Sequence, residues 1–480
     1  MNKSWYAFGF LALVAMTVRP NLPGQNDRQA QISIVERVLD GDPPGIRCSG
    51  VTPGGAVRLH VLRCLEKWQP VGDSWERVPV SLHAWADFRA DAHGTVAVDQ
   101  STPLRGTYQQ ADALALLRTG QPATDTALDD VRRPDLPVPT QPSSRVWVHL
   151  EIDNAIVASA HFELVGTISE LVFETVADGG LQGVFARPKA PGRYPVIISL
   201  HGSEGGSTLK ATAWAERFAS RGFACLAMNY FARSYEGVAG LRTDHVEVPV
   251  ETIKHARDWL RTRETVQADA IGLHGVSKGA ELALLAGSKY DWIRGIVAVV
   301  PSDIVWEGYR DGGGTGARRS SWSLEGQPIP YVRLFDFNPS DQGAYRTNTE
   351  RYTRSRTYFA EQVIEARIRV EDIVGKVLLL ASDRDEVWAS GDMTRNIVER
   401  SALAGASDRV QAVIYPTAGH QISGTGTFPI YLYGQPGSDP TAKDLAAEGR
   451  AAADAWRRAI DFFDRTLGKT ERSNQAAGAP

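Results

Sequence analysis

Three residues far apart in this 480-residue chain have the side-chain types needed for acyl transfer: Ser277, Asp385 and His420. A serine hydroxyl is a weak nucleophile until a base takes its proton, and an imidazole base needs a third group to hold its tautomer and stabilise the charge it acquires. Ser277 stands in Gly275-Val276-Ser277-Lys278-Gly279, the G-x-S-x-G spacing of a nucleophile on a sharp strand-to-helix turn. With 45 glycines in the chain, that spacing alone would arise by chance with a probability on the order of one in four, so its setting must decide its meaning. Asp385 follows the apolar run "VLLLAS" and His420 follows "VQAVIYPT". The order Ser, acid, His is that of α/β-hydrolases. Asp383 competes with Asp385 as the orienting acid. His201 and His274 end strand-like runs that precede the position of a base, and read as structural.

An acyl-transfer site also needs donors for the developing oxyanion. In this arrangement one is the N–H of the residue after the nucleophile, here Lys278, and the other lies in a loop after an earlier strand. "LHGSEGG", residues 200–206, is that loop, with Ser203 or Glu204 placed to donate its main-chain N–H. The Glu204 carboxylate would oppose an oxyanion and is expected to turn away. No G-K-[ST] follows this glycine-rich stretch, which argues against a phosphate loop.

The elements that must position these residues follow a change of period. From about residue 31 to 166 the signals are strands and turns, as in "GIRCSGVTPGGAVRLHVLR", "HAWADFRADAHGTVAVDQ" and "RVWVHLEIDNAIVASAHFELV", and they predict a β-sandwich. After about 167, apolar strands alternate with helices: "YPVIISLHG", "TAWAERFASRGF", "ACLAMNYF", "PVETIKHARDWLRTRE", "AIGLHG", "SKGAELALLAGS", "IRGIVAVVP" and so on to "LAAEGRAAADAWRRAIDFFDRTL". Val250, Ile253, Ala256 and Leu260 share one helical face. Such alternation predicts a mostly parallel sheet covered on both faces, with reactive groups at the carboxyl ends of its strands.

Composition bounds the rest. Apolar residues at 43% and charged residues at 22% describe a globular chain, and a net charge of −4 with no long Lys/Arg run argues against a nucleic-acid partner. Cys48, Cys64 and Cys225 lack C-x-x-C spacing and are too few for a zinc cluster or a disulfide framework, so neither a structural metal nor a cofactor is expected. The first twenty residues, "MNKSWYAFGFLALVAMTVRP", have the charged and apolar regions of a secretory leader and are too short for a comfortable membrane span. Export to a periplasmic or extracellular location is the expectation. In that setting Cys48 and Cys64 could pair, although free core thiols are the simpler reading.

Both halves resemble the acyl-CoA thioester hydrolase and bile acid-CoA:amino acid N-acyltransferase family, whose C-terminal α/β-hydrolase domain is similar to dienelactone hydrolases. The C-terminal resemblance rests on "GLQGVFARPKAPGRYPVIISLHGSEGG", "VEVPVETIKHARDWL", "GLHGVSKGAELALLAGS", "SSWSLEGQPIPYV", "ARIRVEDIVGKVLLLASDRDEVWAS" and "YPTAGHQI". The N-terminal one rests on "IRCSGVTPGGAVRLHV" and "ADFRADAHGTVAVDQSTPLRGTYQQADALALL". The resemblance implies an α/β protein with an Ig-like β-sandwich at 31–166 and an α/β-hydrolase catalytic domain at 167–468, flanked by a leader at 1–30 and a tail at 469–480. It implies an acyl-enzyme mechanism on a small acyl thioester or ester, with Ser277 as nucleophile, His420 as base and then acid, Asp385 orienting His420, and Ser203 or Glu204 with Lys278 binding the oxyanion. Amino-acid-conjugating members carry Cys where this chain has Ser277, which favours water as the acceptor. An exported protein would not meet cytosolic coenzyme A, and an exported carboxylesterase is then the alternative. "DGGGTGARR" (311–319) and the segment Asn338 to Glu365 depart from the family pattern, and the C-terminus "AAGAP" carries no peroxisomal address.

Overall fold

The computed structural model describes residues 29–72, 74–125, 128–311, 316–335, 347–432 and 445–468. Residues 1–28 of the leader, the tail, and residues 312–315 and 338–346 of the two departures from the family pattern lie outside these residues. Contacts divide the chain into two compact units, with the boundary between Ile168 and Ser169.

The first unit is built from two sheets. One has six strands in the order Arg37–Leu39, Ala155–Val165, Arg145–Ile152, Ala56–Val71, Ser74–Arg89, Arg105–Gly106, with a seventh, Gln121–Pro122, beside Ser74–Arg89. The other joins Gln31–Ser33, Arg47–Ser49 and Val96–Ala97. Two of the three stretches quoted for this region split between sheets, Arg47–Ser49 and Ala56–Val71 flanking the Pro-Gly-Gly turn without pairing across it, whereas Arg145–Ile152 and Ala155–Val165 form an antiparallel pair. A period of two marks each strand and leaves its partner unspecified. All three cysteines are buried and unpaired. Buried polar groups cluster here as well, with His60 between the ring of His83 (2.9 Å) and the Glu151 carboxylate (2.9 Å).

Residues 425–432, read from sequence as part of the catalytic domain, group with the first unit. Thr425 Oγ1 donates to the Asp40 carboxylate at 2.9 Å, and Arg63 and Arg118 donate to the carbonyls of Thr427 (3.3 Å) and Gly426 (3.2 Å). Arg118 is buried, so its guanidinium needs such acceptors. Nothing in the linear pattern marks the stretch that supplies them.

The second unit holds an eight-stranded sheet. Its strands are β1 (Leu171–Asp178), β2 (Leu181–Pro188), β3 (Tyr194–Leu200), β4 (Ala224–Met228), β5 (Val266–Val276), β6 (Ile293–Val299), β7 (Lys376–Ser382) and β8 (Val410–Tyr415), in the order β1-β2-β4-β3-β5-β6-β7-β8. The first two are antiparallel to their neighbours, and β4, β3 and β5 to β8 run parallel. Five helices cover the sheet: α1 (Thr208–Ala219), α2 (Thr252–Arg261), α3 (Lys278–Gly287), α4 (Ser390–Leu403) and α5 (Leu445–Leu467).

Strand parity explains the layers. Val196, Ile198, Leu200, Leu273, Ile296, Ala298 and Leu379 pack with Ile253, Ala256 and Leu260 of α2 and with the apolar residues of α3. The alternate residues Ile197, Val297, Val299, Leu378 and Leu380 pack with Phe218 of α1 and Trp456 and Phe463 of α5. Strands buried on both faces read as continuous apolar runs, which is why "VIISL" and "VLLLA" carry no alternation. No helix among the described residues is long and apolar enough to cross a membrane.

Candidate active site

Ser277 sits between β5 and α3 with φ 54° and ψ −115°. A non-glycine residue there stores roughly 1–3 kcal/mol of strain and persists only where its surroundings over-determine it. Both flanking glycines are explained by close approach. A Cβ on Gly275 would lie 2.2 Å from the Gly279 carbonyl oxygen, and one on Gly279 would lie 2.4 Å from that of Leu200. The turn thus brings α3 hard against the ends of β3 and β5.

Asp385 and His420 meet. Asp385 follows β7, His420 follows β8, and His420 Nδ1 lies 2.8 Å from Asp385 Oδ1. The same carboxylate oxygen accepts the main-chain N–H groups of Val387 (2.9 Å) and Trp388 (3.1 Å), so the loop itself fixes the acid. With Nδ1–H donated to a carboxylate, Nε2 is left as the basic nitrogen. Asp383 does not reach His420; it pairs with Arg395 of α4 at the surface. The Ser277 side chain makes no hydrogen bond among the described residues. The structure thus joins Asp385 to His420 by a hydrogen bond and gives none between His420 and Ser277.

The loop after β3 lies beside the serine: a Cβ on Gly202 would be 3.4 Å from Ser277 Cβ. The Gly202 and Ser203 carbonyls are held, and the Ser203 and Glu204 amides are free among the described residues. Gly202 O accepts from His201 Nδ1 (2.8 Å) and Gly205 N–H (3.4 Å), and Ser203 O from Arg233 (3.1 Å) and Tyr309 (3.4 Å). The N–H groups of Ser203, Glu204 and Lys278 have no partner among the described residues. The Glu204 side chain curls back, Oε1 accepting the Gly202 N–H at 3.1 Å.

His201 and His274 are enclosed. His201 stacks on Tyr230 with ring centroids 4.1 Å apart, and His274 bonds Ser199 at 3.2 Å. Burial lowers the pKa of both, that of His274 to about 3.

Sequence reasoning missed three supports of the site. Glu386 accepts the His420 main-chain N–H at 2.9 Å. Trp388 sets its ring edge toward His420, centroids 6.1 Å apart, and donates its indole N–H to the carbonyl of Val300 at 3.1 Å. Lys278 turns its ammonium inward to Glu281 at 2.7 Å, and Glu281 also accepts from the Trp322 indole at 2.7 Å and Trp306 N–H at 3.2 Å. Burial pushes the lysine pKa down and the Glu281 pKa up, each opposed by its partner. The i, i+3 spacing of Lys278 and Glu281 was the available signal, but such pairs usually lie on solvated faces. Among the described residues, no group of three His, Cys, Asp or Glu is arranged to hold a metal ion.

The chain is 26% identical over 406 residues to mitochondrial acyl-coenzyme A thioesterase 2 of Mus musculus, covering 81% of this chain and 80% of that protein. It is 23% identical over 464 residues to acyl-coenzyme A amino acid N-acyltransferase 2 of Rattus norvegicus, covering 91% and 97%. Among solved structures, MGS-M1, an α/β hydrolase from a deep-sea metagenome library, matches 62% of this chain and 99% of its own with a TM-score of 0.37 and 12% identity. Two models of one family also match: the "Acyl-CoA thioester hydrolase/BAAT N-terminal region" over residues 42–163, in the first unit, and the "BAAT / Acyl-CoA thioester hydrolase C terminal" over residues 248–469, which contain Ser277, Asp385 and His420. With each unit matched by its own part of one family, the chain belongs to the acyl-CoA thioester hydrolase and bile acid-CoA:amino acid N-acyltransferase family.

Proposed function

We propose that the protein is a serine hydrolase that cleaves acyl thioesters through an acyl-enzyme. The observation that carries this reading is the backbone of Ser277, held at φ 54° between β5 and α3, because a strained serine at that turn has its hydroxyl free and the helix start beside it. Ser277 Oγ attacks the acyl carbonyl carbon while His420 Nε2 takes its proton. Asp385 holds the other face of the ring and stabilises the imidazolium. The tetrahedral oxyanion is received by the Lys278 N–H and by the Ser203 or Glu204 N–H. Collapse breaks the C–S bond, with His420 returning the proton to the departing thiolate. Water, deprotonated by His420, then attacks the acyl-serine ester; the C–Oγ bond breaks, His420 returns the proton to Ser277 Oγ, and the free acid leaves.

Two observations support thioesters in particular: the family membership and the thioesterase names of relatives that cover most of this chain. The relative named as an amino acid N-acyltransferase keeps aminolysis as a second reading. Serine at position 277 favours water, since an oxygen ester is less inclined toward amines than a thioester. In this reading the first unit is an Ig-like β-sandwich that carries none of the chemistry, and the leader directs export, which Edman sequencing of the mature protein tests.

The direct experiment is hydrolysis of a panel of acyl-CoAs and simple esters by the native chain and by Ser277→Ala, with fluorophosphonate labelling of both. Thioester cleavage and labelling that vanish together in the variant are expected. Full turnover by Ser277→Ala would remove Ser277 from the mechanism.

A further inference from the structure

Glu204 occupies an electrostatically awkward place. It stands in the loop that supplies an oxyanion donor, and its Oε1 is engaged by the Gly202 N–H at 3.1 Å. Its Oε2 makes no hydrogen bond among the described residues. A Cβ built on Gly202 would lie 2.5 Å from this Oε2 and 3.4 Å from Ser277 Cβ, so the oxygen is no farther from the nucleophile's Cβ than the sum of those distances. The residue is exposed, and among the described residues it forms no ion pair. Two cations from outside the loop reach it without bonding to Glu204. Lys210 reaches the Gly205 carbonyl (3.3 Å) and Glu236 (2.5 Å), while Arg233 reaches the carbonyls of Ser203 (3.1 Å) and Arg310 (3.3 Å) and lies over the Tyr309 ring.

A carboxylate without an ion-pair partner beside the proposed nucleophile acts on whatever charge the acyl group brings there. We propose that Glu204 is a specificity-determining residue that makes the enzyme select acyl groups without negative charge near the carbonyl, rejecting short dicarboxylic acyl groups and accepting neutral and cationic ones. The inference rests on the thioester-hydrolase reading. An acyl carboxylate that comes within ~6 Å of Glu204, in a medium between bulk water and a protein surface, would be disfavoured by roughly tenfold.

Glu204→Gln tests it with little disturbance, because the amide oxygen can still accept the Gly202 N–H and only the charge is lost. The substrates are pentanoyl-CoA, glutaryl-CoA and 4-(trimethylammonio)butanoyl-CoA, which differ in the charge at the acyl end and share one leaving group. For the native enzyme, kcat/KM for pentanoyl should exceed that for glutaryl by about tenfold at low salt, with the cationic acyl group at least equal to pentanoyl. In Glu204→Gln the pentanoyl-to-glutaryl ratio should fall to within about twofold, any effect on the main-chain donor being common to both substrates. If the variant does not fold, salt decides with the native protein, since the ratio should shrink as ionic strength rises. A ratio unchanged by both the substitution and salt would overturn the inference, as would a native preference for glutaryl, which would give Arg233 control of the local field. Absence of hydrolysis of all three would instead sink the thioester-hydrolase reading itself.

Discussion

Replacing Asp385 by Asn separates the orienting acid from its neighbour Asp383 and has a magnitude that the surroundings determine. Asp385 Oδ1 accepts three N–H groups, from Val387, Trp388 and His420, while Oδ2 is buried with no partner. An asparagine has two ways to sit there. With its oxygen in place of Oδ1, the NH2 lies where no acceptor waits, costing about 1–3 kcal/mol of stability. Turned over, it opposes its N–H groups to two main-chain donors and forces His420 into the wrong tautomer. In either pose the charge that stabilises the imidazolium is gone, a loss of roughly three to four orders of magnitude in turnover in other triads, or about 4–5.5 kcal/mol. Asp383→Asn removes only an exposed pair with Arg395, worth about 0–1 kcal/mol, and should leave turnover within about twofold. Steady-state thiol release from an acyl-CoA, measured on both folded variants, decides. An Asp385→Asn enzyme retaining more than about a tenth of native turnover, or an Asp383→Asn enzyme that is the weaker of the two, would refute the assignment of the acid.

Three further outcomes are expected. Burial holds His60, His83 and His274 at pKa values of about 3 and His149 at about 4, against an ordinary 6.5. The unfolded chain therefore binds more protons below pH 6.5, so stability is full above that pH and falls as pH drops toward 3, by about 2 kcal/mol per such histidine at pH 5; urea unfolding at pH 7.5 and pH 5 measures it, and equal midpoints would count against neutral buried rings. Glu281→Gln leaves the Lys278 ammonium buried without its carboxylate and should cost about 3–5 kcal/mol in thermal or denaturant unfolding, partly restored by adding Lys278→Met. With millimolar glycine or taurine present, mass spectrometry should find free acid as the dominant product of the native enzyme and some gain of amide in Ser277→Cys; a native product that is mostly N-acyl amino acid would replace hydrolase by acyltransferase.

The legible parts of this protein are those that one-dimensional periodicity can carry. Continuous apolar runs ending at Gly, Pro or Ser announced β3, β5, β6 and β7, and the residues after them lie where a parallel sheet puts its reactive groups. Ser277, Asp385 and His420 could therefore be picked before any geometry was known, and the structure sets Asp385, rather than Asp383, against His420. The illegible parts depend on long-range partners. Residues 425–432 look like ordinary loop, and only the buried arginines and Asp40 that bond them reveal where they belong. Lys278 and Glu281 look like a solvated helical pair, and only the two indole-bearing residues across from them, Trp306 and Trp322, show that the pair is buried. The two sheets of the first unit are illegible for a third reason, because alternation gives a strand its faces and leaves its partner open.

The strain at Ser277 and the proposed oxyanion donor beside it follow from one local arrangement. A helix begins with main-chain N–H groups that have no acceptor a turn earlier. Here the Ser277 carbonyl takes two of them, from Ala280 at 2.9 Å and Glu281 at 3.1 Å, while the Ser277 N–H is held by the Val299 carbonyl of β6 at 2.9 Å. Those bonds pin the serine from both sides and can hold it in a backbone region it would leave if free. They also leave the Lys278 N–H without a partner among the described residues, at the positive end of α3 and next to the proposed nucleophile. The Lys278 side chain would compete for the same space if it turned outward, and the bond to Glu281 keeps it inside. The Glu281 pair is thus tied to the site through one residue: it fixes the side chain of the amino acid whose main chain is the proposed oxyanion donor. Loosening it should lower turnover through misplacement of that N–H even where the fold survives.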